Sequence, residues 1–168
     1  MARMTRIKSV TISEISGRQE KDMKEYELTY QIRGAIYDTY NALGPGLLEA
    51  VYEEALVYFL NKRGLHVDRQ VCVPVEVEGH RLETNLRLDL LVERRVIVEL
   101  KSVLEMREVF HLQLLTYLKL THLHRGILVN FNTEDIETSV WSKVYGYDSN
   151  AVLPTDDTDD TDKISDNQ

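Results

Sequence analysis

The chain has 168 residues, of which 43% are hydrophobic, and this is enough to fill the core of one domain. No apolar run approaches the ~18 to 20 residues that a membrane span needs, and no segment resembles a signal peptide. The single cysteine, Cys72, excludes an intramolecular disulfide and a zinc cluster built from thiolates. We therefore expect a reducing, cytoplasmic setting with no membrane partner.

The formal net charge is −8, and it is spread unevenly along the chain. Residues 154–168 carry six Asp and one Lys, residues 1–24 are net +3, and residues 25–153 are net −6. The middle segment lacks the basic face that nonspecific duplex binders carry. The missing basic face argues against simple DNA binding. This argument becomes weaker if a cation neutralises several of the carboxylates.

Composition also predicts the domain boundaries. The low-complexity acidic run predicts a disordered tail over residues 151–168. Residues 1–23 are polar and weakly patterned, so we expect a flexible N-terminal segment. One folded domain over residues 24–150 remains.

Helical periodicity opens this domain. Apolar residues recur at helical spacing from Glu25 to Leu43, and the "GPG" at residues 44–46 ends the helix. A second helix is predicted from Leu47 to Arg63, with Gly64 as its C-cap.

Strict alternation follows and predicts β-structure. The valines at 71, 73, 75 and 77 share one face of a first strand, and Pro74 indicates an edge strand or a bulge. A second strand from Arg81 to Val92 and a third from Val96 to Lys101 complete a meander. In the second strand, alternation places Asp89 opposite a leucine face made of Leu86, Leu88 and Leu90.

The remaining elements set the fold class. A third helix is predicted from Glu108 to Thr121, then a buried strand over residues 126–131 and a weaker strand or hairpin arm near residues 136–145. The order α-α-β-β-β-α-β predicts an α/β fold with a mixed central sheet flanked by helices.

Two neighbouring strands carry the first candidate site. Glu99 and Lys101 share a face of the third strand, and a short turn makes the second strand its antiparallel neighbour, so Asp89 lies within reach if the faces match. Two carboxylates brought together suit a hard cation such as Mg²⁺ or Mn²⁺, and a lysine beside them can stabilise developing phosphoryl charge. The alternative is an ordinary ion pair on a solvated face.

Two further polar residues flank this site. Glu49 shares a helical face with Tyr52, Leu56 and Leu60, so it is either a half-buried functional acid or a first-turn charge favoured by the helix dipole. Gln113 lies in the first turns of the third helix and can hydrogen-bond the lysine or a water, or it is simply a polar helix position.

Four ordered motifs, spanning about Glu27 to Phe131, resemble a known family. "LGPGLLEAVYEEAL", "RLDLLVE", "VIVELKSV" and "QLLTYLKL" are similar to the GxxExxY proteins, a small family within the PD-(D/E)XK nuclease superfamily. The resemblance implies a restriction-endonuclease-like core. It also implies that Asp89 and Glu99 ligate Mg²⁺ or Mn²⁺ with Glu49 as an extra acid, that Lys101 is the catalytic lysine, and that Gln113 supports the site.

The implied activity is metal-dependent hydrolysis of phosphodiester bonds by a water that the metal activates, in DNA more than in RNA. Nucleic acid is then the expected partner, and a homodimer is left open. A catalytically silent binding or assembly module with the same fold is the alternative, and the acidic middle segment favours it.

Overall fold

The computed structural model describes residues 12–146, with side chains from residue 24 onward. The acidic tail and the first eleven residues lie outside this range, so the predictions of disorder and flexibility made for them stay predictions. Within the described residues, no helix is long and apolar enough to span a bilayer.

Two long helices precede the sheet. Helix α1 runs from Ile12 to Leu43, so it begins well before the predicted Glu25. Helix α2 runs from Glu49 to Lys62. Gly44 and Gly46 both have positive φ, which explains why "GPG" separates the helices.

A mixed five-stranded sheet forms the centre of the domain, in the order β1-β2-β3-β4-β5. Its strands are β1 Val67–Val77, β2 His80–Val92, β3 Val96–Lys101, β4 Arg125–Asn130 and β5 Val140–Val144. Strands β3 and β4 pair in parallel, joined by helix α3 (Glu108–Thr121), and the other neighbours are antiparallel. The predicted fold class is confirmed, and the weak final arm becomes a 3₁₀ turn at Glu137–Ser139 followed by β5.

Helices cover both faces of the sheet and create two hydrophobic clusters. Helices α1 and α2 pack on one face, where β3 contributes Val96, Val98 and Leu100. Helix α3 packs on the other face, where β3 contributes Ile97. Because side chains alternate along a strand, Glu99 and Lys101 follow Ile97 toward the α3 face.

The prediction that Leu88 and Leu90 share a face is wrong. Leu88 packs in the α3 cluster, whereas Leu90 packs with α1 and α2. The regular pairing of β2 with β3 covers Leu90 to Val92 only, so β2 leaves its neighbour at Asp89. A break in the hydrogen-bonded ladder changes which face of the sheet the following side chains point to. This break falls at Asp89, a residue of the candidate site.

Strand β1 lies at the edge of the sheet and its register shifts between Pro74 and Glu76, which confirms the interpretation of Pro74. Cys72 is exposed on this strand.

Candidate metal-dependent active site

A buried ion pair occupies the carboxyl end of β3. The Nζ of Lys101 lies 2.8 Å from Oε1 of Glu99, and it also donates a 2.8 Å hydrogen bond to the carbonyl of Leu100. Glu99 is only 2% exposed and Lys101 only 9%. The alternative of an ion pair on a solvated face is therefore wrong, since both charges have been taken out of water.

Asp89 sits where β2 separates from β3. Its Oδ2 accepts a 2.9 Å hydrogen bond from the backbone N–H of Leu100, which replaces a backbone partner that the diverging strand no longer supplies. The carboxylate is thereby held against β3, next to the residue that follows Glu99. The break in the strand ladder is thus what brings Asp89 to the site.

Helix α2 brings Glu49 to the same strand end. Glu49 is half-buried, and the backbone of Ser102 acts to lower the pKa of its carboxyl group. The Ser102 hydroxyl in turn donates a 2.6 Å hydrogen bond to the carbonyl of Leu47, just before the helix begins. This hydrogen bond fixes the start of α2 against the end of β3.

Tyr52 closes the loop that leads into α2. Its hydroxyl donates to the carbonyl of Gly44 at 2.6 Å and accepts from the backbone N–H of Leu47 at 3.1 Å. The ring is fully buried and stacks on Phe131 with centroids 4.5 Å apart. Tyr52 therefore ties the position of Glu49 to the core.

The four charged groups interact electrostatically. Burial, and then the charge of Asp89, raise the pKa of Glu99 to about 7, although Lys101 acts in the opposite direction. Burial also raises the pKa of Asp89 and of Glu49, where Lys101 again opposes the change. For Lys101 burial lowers the pKa, but Glu99, Glu49 and Asp89 together outweigh it, so the net shift is upward.

The donor chemistry of this cluster fits a hard divalent cation. Oε2 of Glu99 is buried without a hydrogen-bond partner, which is costly for a carboxylate oxygen. If all four groups ionise, three carboxylates and one ammonium leave two negative charges, the charge that Mg²⁺ or Mn²⁺ balances. Across residues 24–146, however, no three His, Cys, Asp or Glu side chains are already close enough to hold an ion, so binding requires these side chains to move.

Gln113 and Lys101 make hydrogen bonds to different partners. The Nε2 of Gln113 donates a 2.6 Å hydrogen bond to the hydroxyl of Tyr117 within α3, whereas the Lys101 ammonium bonds Glu99 and Leu100. The α3 side chain that meets the lysine is Phe110, whose ring centroid lies 5.6 Å from Nζ. A role for Gln113 at the site stays a prediction.

Three residues near Asp89 were missed by sequence reasoning. Glu53 is buried on α2, Arg69 pairs with it, and the Gln70 amide donates a hydrogen bond to it. The Gln70 side chain also acts to lower the pKa of Asp89. The spacing of Glu49 and Glu53, four residues apart on one helix, was the available signal. Nothing in the sequence marked Arg69 or Gln70.

The family of the chain follows from comparison with known proteins. A model of the PD-(D/E)XK nuclease superfamily matches residues 26–143. The chain therefore belongs to the PD-(D/E)XK nuclease superfamily, and the matched range contains every predicted site residue.

Other comparisons are remote. The crystal structure of SSO0001 is similar over 88% of this chain and 72% of its own, with 18% sequence identity and a TM-score of 0.45, values too low to bear on function. No curated protein matches the chain.

Proposed function

We propose that this protein is a nuclease that hydrolyses phosphodiester bonds with Mg²⁺ or Mn²⁺, in DNA more than in RNA. The supporting observation is the buried Glu99 oxygen without a partner, beside Asp89, Glu49 and Lys101. Membership of the superfamily supports a nuclease-type activity. The assignment to the GxxExxY proteins rests on the "GLLEAVY" motif, whose Glu49 and Tyr52 lie in the first turns of α2.

In this proposal Asp89 and Glu99 hold the cation, and Glu49 is the additional acid. When bound, the ion supplies Lewis-acid polarisation of the phosphoryl group and activation of a water. These carboxylates would hold it near Asp89, where β2 separates from β3. A carboxylate binds a metal in its deprotonated form. Because the pKa of Glu99 is raised to about 7, this group must lose a proton near neutral pH to act as a ligand.

Lys101 acts as a cation in this proposal and not as a base. Three carboxylates raise its pKa despite burial, so its ammonium stays protonated near neutral pH. A fixed ammonium in a buried site stabilises negative charge that develops on the phosphoryl oxygens. Its bond is to Oε1 of Glu99, which leaves Oε2 as the oxygen that would hold a cation.

The test is a cleavage assay on single- and double-stranded DNA and on RNA, with Mg²⁺, Mn²⁺ or a chelator. We expect wild type to cleave at least one substrate with metal and none with chelator. Asp89→Asn should lower the rate at least ~10²-fold, as loss of a metal ligand does. Glu105→Gln, an exposed acid that follows β3, serves as the matched control and should retain activity.

A silent binding or assembly module is the second candidate function. The net charge of −6 over residues 25–153 favours it, since a nuclease must approach a polyanion. It predicts no cleavage of any substrate by wild type and no stabilisation by Mg²⁺. The nuclease proposal includes a nucleic-acid partner and a cytoplasmic setting. It leaves open whether the protein forms a homodimer.

A further inference from the structure

A hydrogen-bonded relay connects helix α2 to strand β1 at the position opposite Asp89. The Nε and Nη2 of Arg69 both donate to Oε1 of Glu53, at 2.9 and 2.8 Å. The Gln70 amide donates to the other oxygen of Glu53. Gln70 lies opposite Asp89 in the pairing of β1 with β2, and its side chain acts to lower the pKa of Asp89. A glutamine amide has two N–H donors, so a single side chain can serve two carboxylates.

The backbone of β1 is bent to make this relay. Adjacent residues of a regular strand point to opposite faces, yet Arg69 and Gln70 both reach Glu53. Gln70 has a φ of 50°, a left-handed conformation that is uncommon for a residue other than glycine. Regular pairing with β2 includes Arg69 and Val71 but omits Gln70.

The face of β1 changes at the same residue. Val67 packs with α1 and α2, whereas Val71 and Val73 pack with α3, although all three would share a face in an unbroken strand. The break in β1 at Gln70 thus lies beside the break in β2 at Asp89. A backbone outlier that persists needs compensation from its surroundings, and the hydrogen bonds of Arg69 and Gln70 to Glu53 supply it.

We propose that Gln70 is the positioning residue for Asp89, and that Glu53 and Arg69 hold its amide in place. Leu100 fixes Asp89 from the β3 side and Gln70 fixes it from the β1 side, so the carboxylate is held between two strands. The inference rests on the proposed function, because positioning matters to catalysis only if Asp89 is a metal ligand. Partners of this kind change metal affinity by about 10 to 100-fold in other metal sites.

Gln70→Gly is the variant that separates side chain from backbone. Glycine accepts positive φ without penalty, so the bend in β1 is retained while the amide is removed. Glu78→Gly is the matched control, since Glu78 is exposed, has a φ of 52° and lies in the turn between β1 and β2. Gln70→Asn, which also tolerates positive φ but is shorter, covers the case in which the glycine variant does not fold.

Two measurements on the full chain decide the proposal. The first is hydrogen exchange of the Leu100 backbone amide in metal-free protein, which reports whether Asp89 still accepts that hydrogen bond. The second is the Mn²⁺ dissociation constant by calorimetry. We expect Gln70→Gly to speed Leu100 exchange at least ~10-fold and to weaken Mn²⁺ binding ~10 to 100-fold, with Glu78→Gly like wild type.

Unchanged Leu100 exchange in both Gln70 variants overturns the proposal. Faster exchange with unchanged Mn²⁺ affinity also overturns it, because Gln70 would then be a structural link only. If wild type binds no Mn²⁺, the proposed function fails, and Leu100 exchange still decides whether Gln70 orients Asp89.

Discussion

Lys101 neutralises one oxygen of Glu99 at a distance of 2.8 Å, while the other oxygen is buried without a partner. One lysine therefore leaves the carboxylate only half satisfied. Asp89 and Glu49 add further negative charge, and each raises the pKa of Glu99. This unequal pairing is the physical reason to expect a cation.

Mg²⁺ should raise the melting temperature of the wild-type protein. A ligand that binds only the native state at 100 times its Kd stabilises by about 2.7 kcal/mol, which corresponds to a rise of roughly 5 to 10 °C for a domain of this size. Asp89→Asn should lose most of the rise, because the ion loses a charged ligand. Thermal unfolding with Mg²⁺ and with chelator measures this change in melting temperature for both proteins.

Glu105→Gln is the control for that experiment, as it removes one acidic charge from an exposed position. Its response to Mg²⁺ should equal that of wild type. Equal responses from wild type and Asp89→Asn would mean that the ion binds elsewhere.

The stability of the metal-free protein should fall as pH rises from about 4.5 to about 7. Native Glu99 has its pKa raised to about 7 from 4.5, so between these values the folded state holds a proton that the unfolded state has released. Asp89 and Glu49 shift in the same direction. Urea unfolding at pH 5 and pH 8 in chelator gives the two free energies of unfolding.

Glu99→Gln resembles the protonated glutamate and cannot ionise. Between pH 5 and pH 8 the free energy of unfolding of this variant should decrease less than that of wild type. Identical pH profiles for the two proteins would show that Glu99 ionises as it does in an unfolded chain.

Tyr52→Phe should reduce both stability and activity. The change keeps the ring stacked on Phe131 but removes the hydroxyl that joins Gly44 and Leu47, so the loop before Glu49 loosens. We expect a loss of about 1 kcal/mol in the free energy of unfolding, typical of a buried hydrogen bond, and a several-fold loss of cleavage rate. Urea unfolding and the cleavage assay measure the two effects.

Tyr58→Phe provides the comparison on the same helix, since Tyr58 is 61% exposed. It should behave like wild type in both assays. A Tyr52→Phe protein that loses stability but retains full activity would remove the link between this loop and Glu49.

Elements with continuous apolar patterns were predictable from the sequence. The bounds of β3 and α3 agree with the prediction because β3 is buried throughout and α3 buries one face, made of Leu114, Tyr117 and Leu118. The face that joins Tyr52, Leu56 and Leu60 is likewise confirmed, since all three are fully buried.

The breaks in the sheet at Gln70 and Asp89 were not predictable. Gln70 adopts positive φ without being glycine, and Leu88 and Leu90 lie on opposite faces despite regular alternation in the sequence. Both features arise from tertiary contacts with α2 and β3, which local patterns do not contain. Gln113, predicted from its place in the chain, hydrogen-bonds Tyr117 because that partner lies one turn along the same helix.

The most direct test of the account is cleavage by Lys101→Met compared with wild type in Mn²⁺. Methionine can retain packing against Phe110 but removes the ammonium, so cleavage should fall at least ~10²-fold while Mn²⁺ still binds. Lys119→Met, at an exposed position of α3, should cleave like wild type. Equal cleavage by Lys101→Met and wild type, or no metal-dependent cleavage by wild type on any substrate, would contradict the proposed active site.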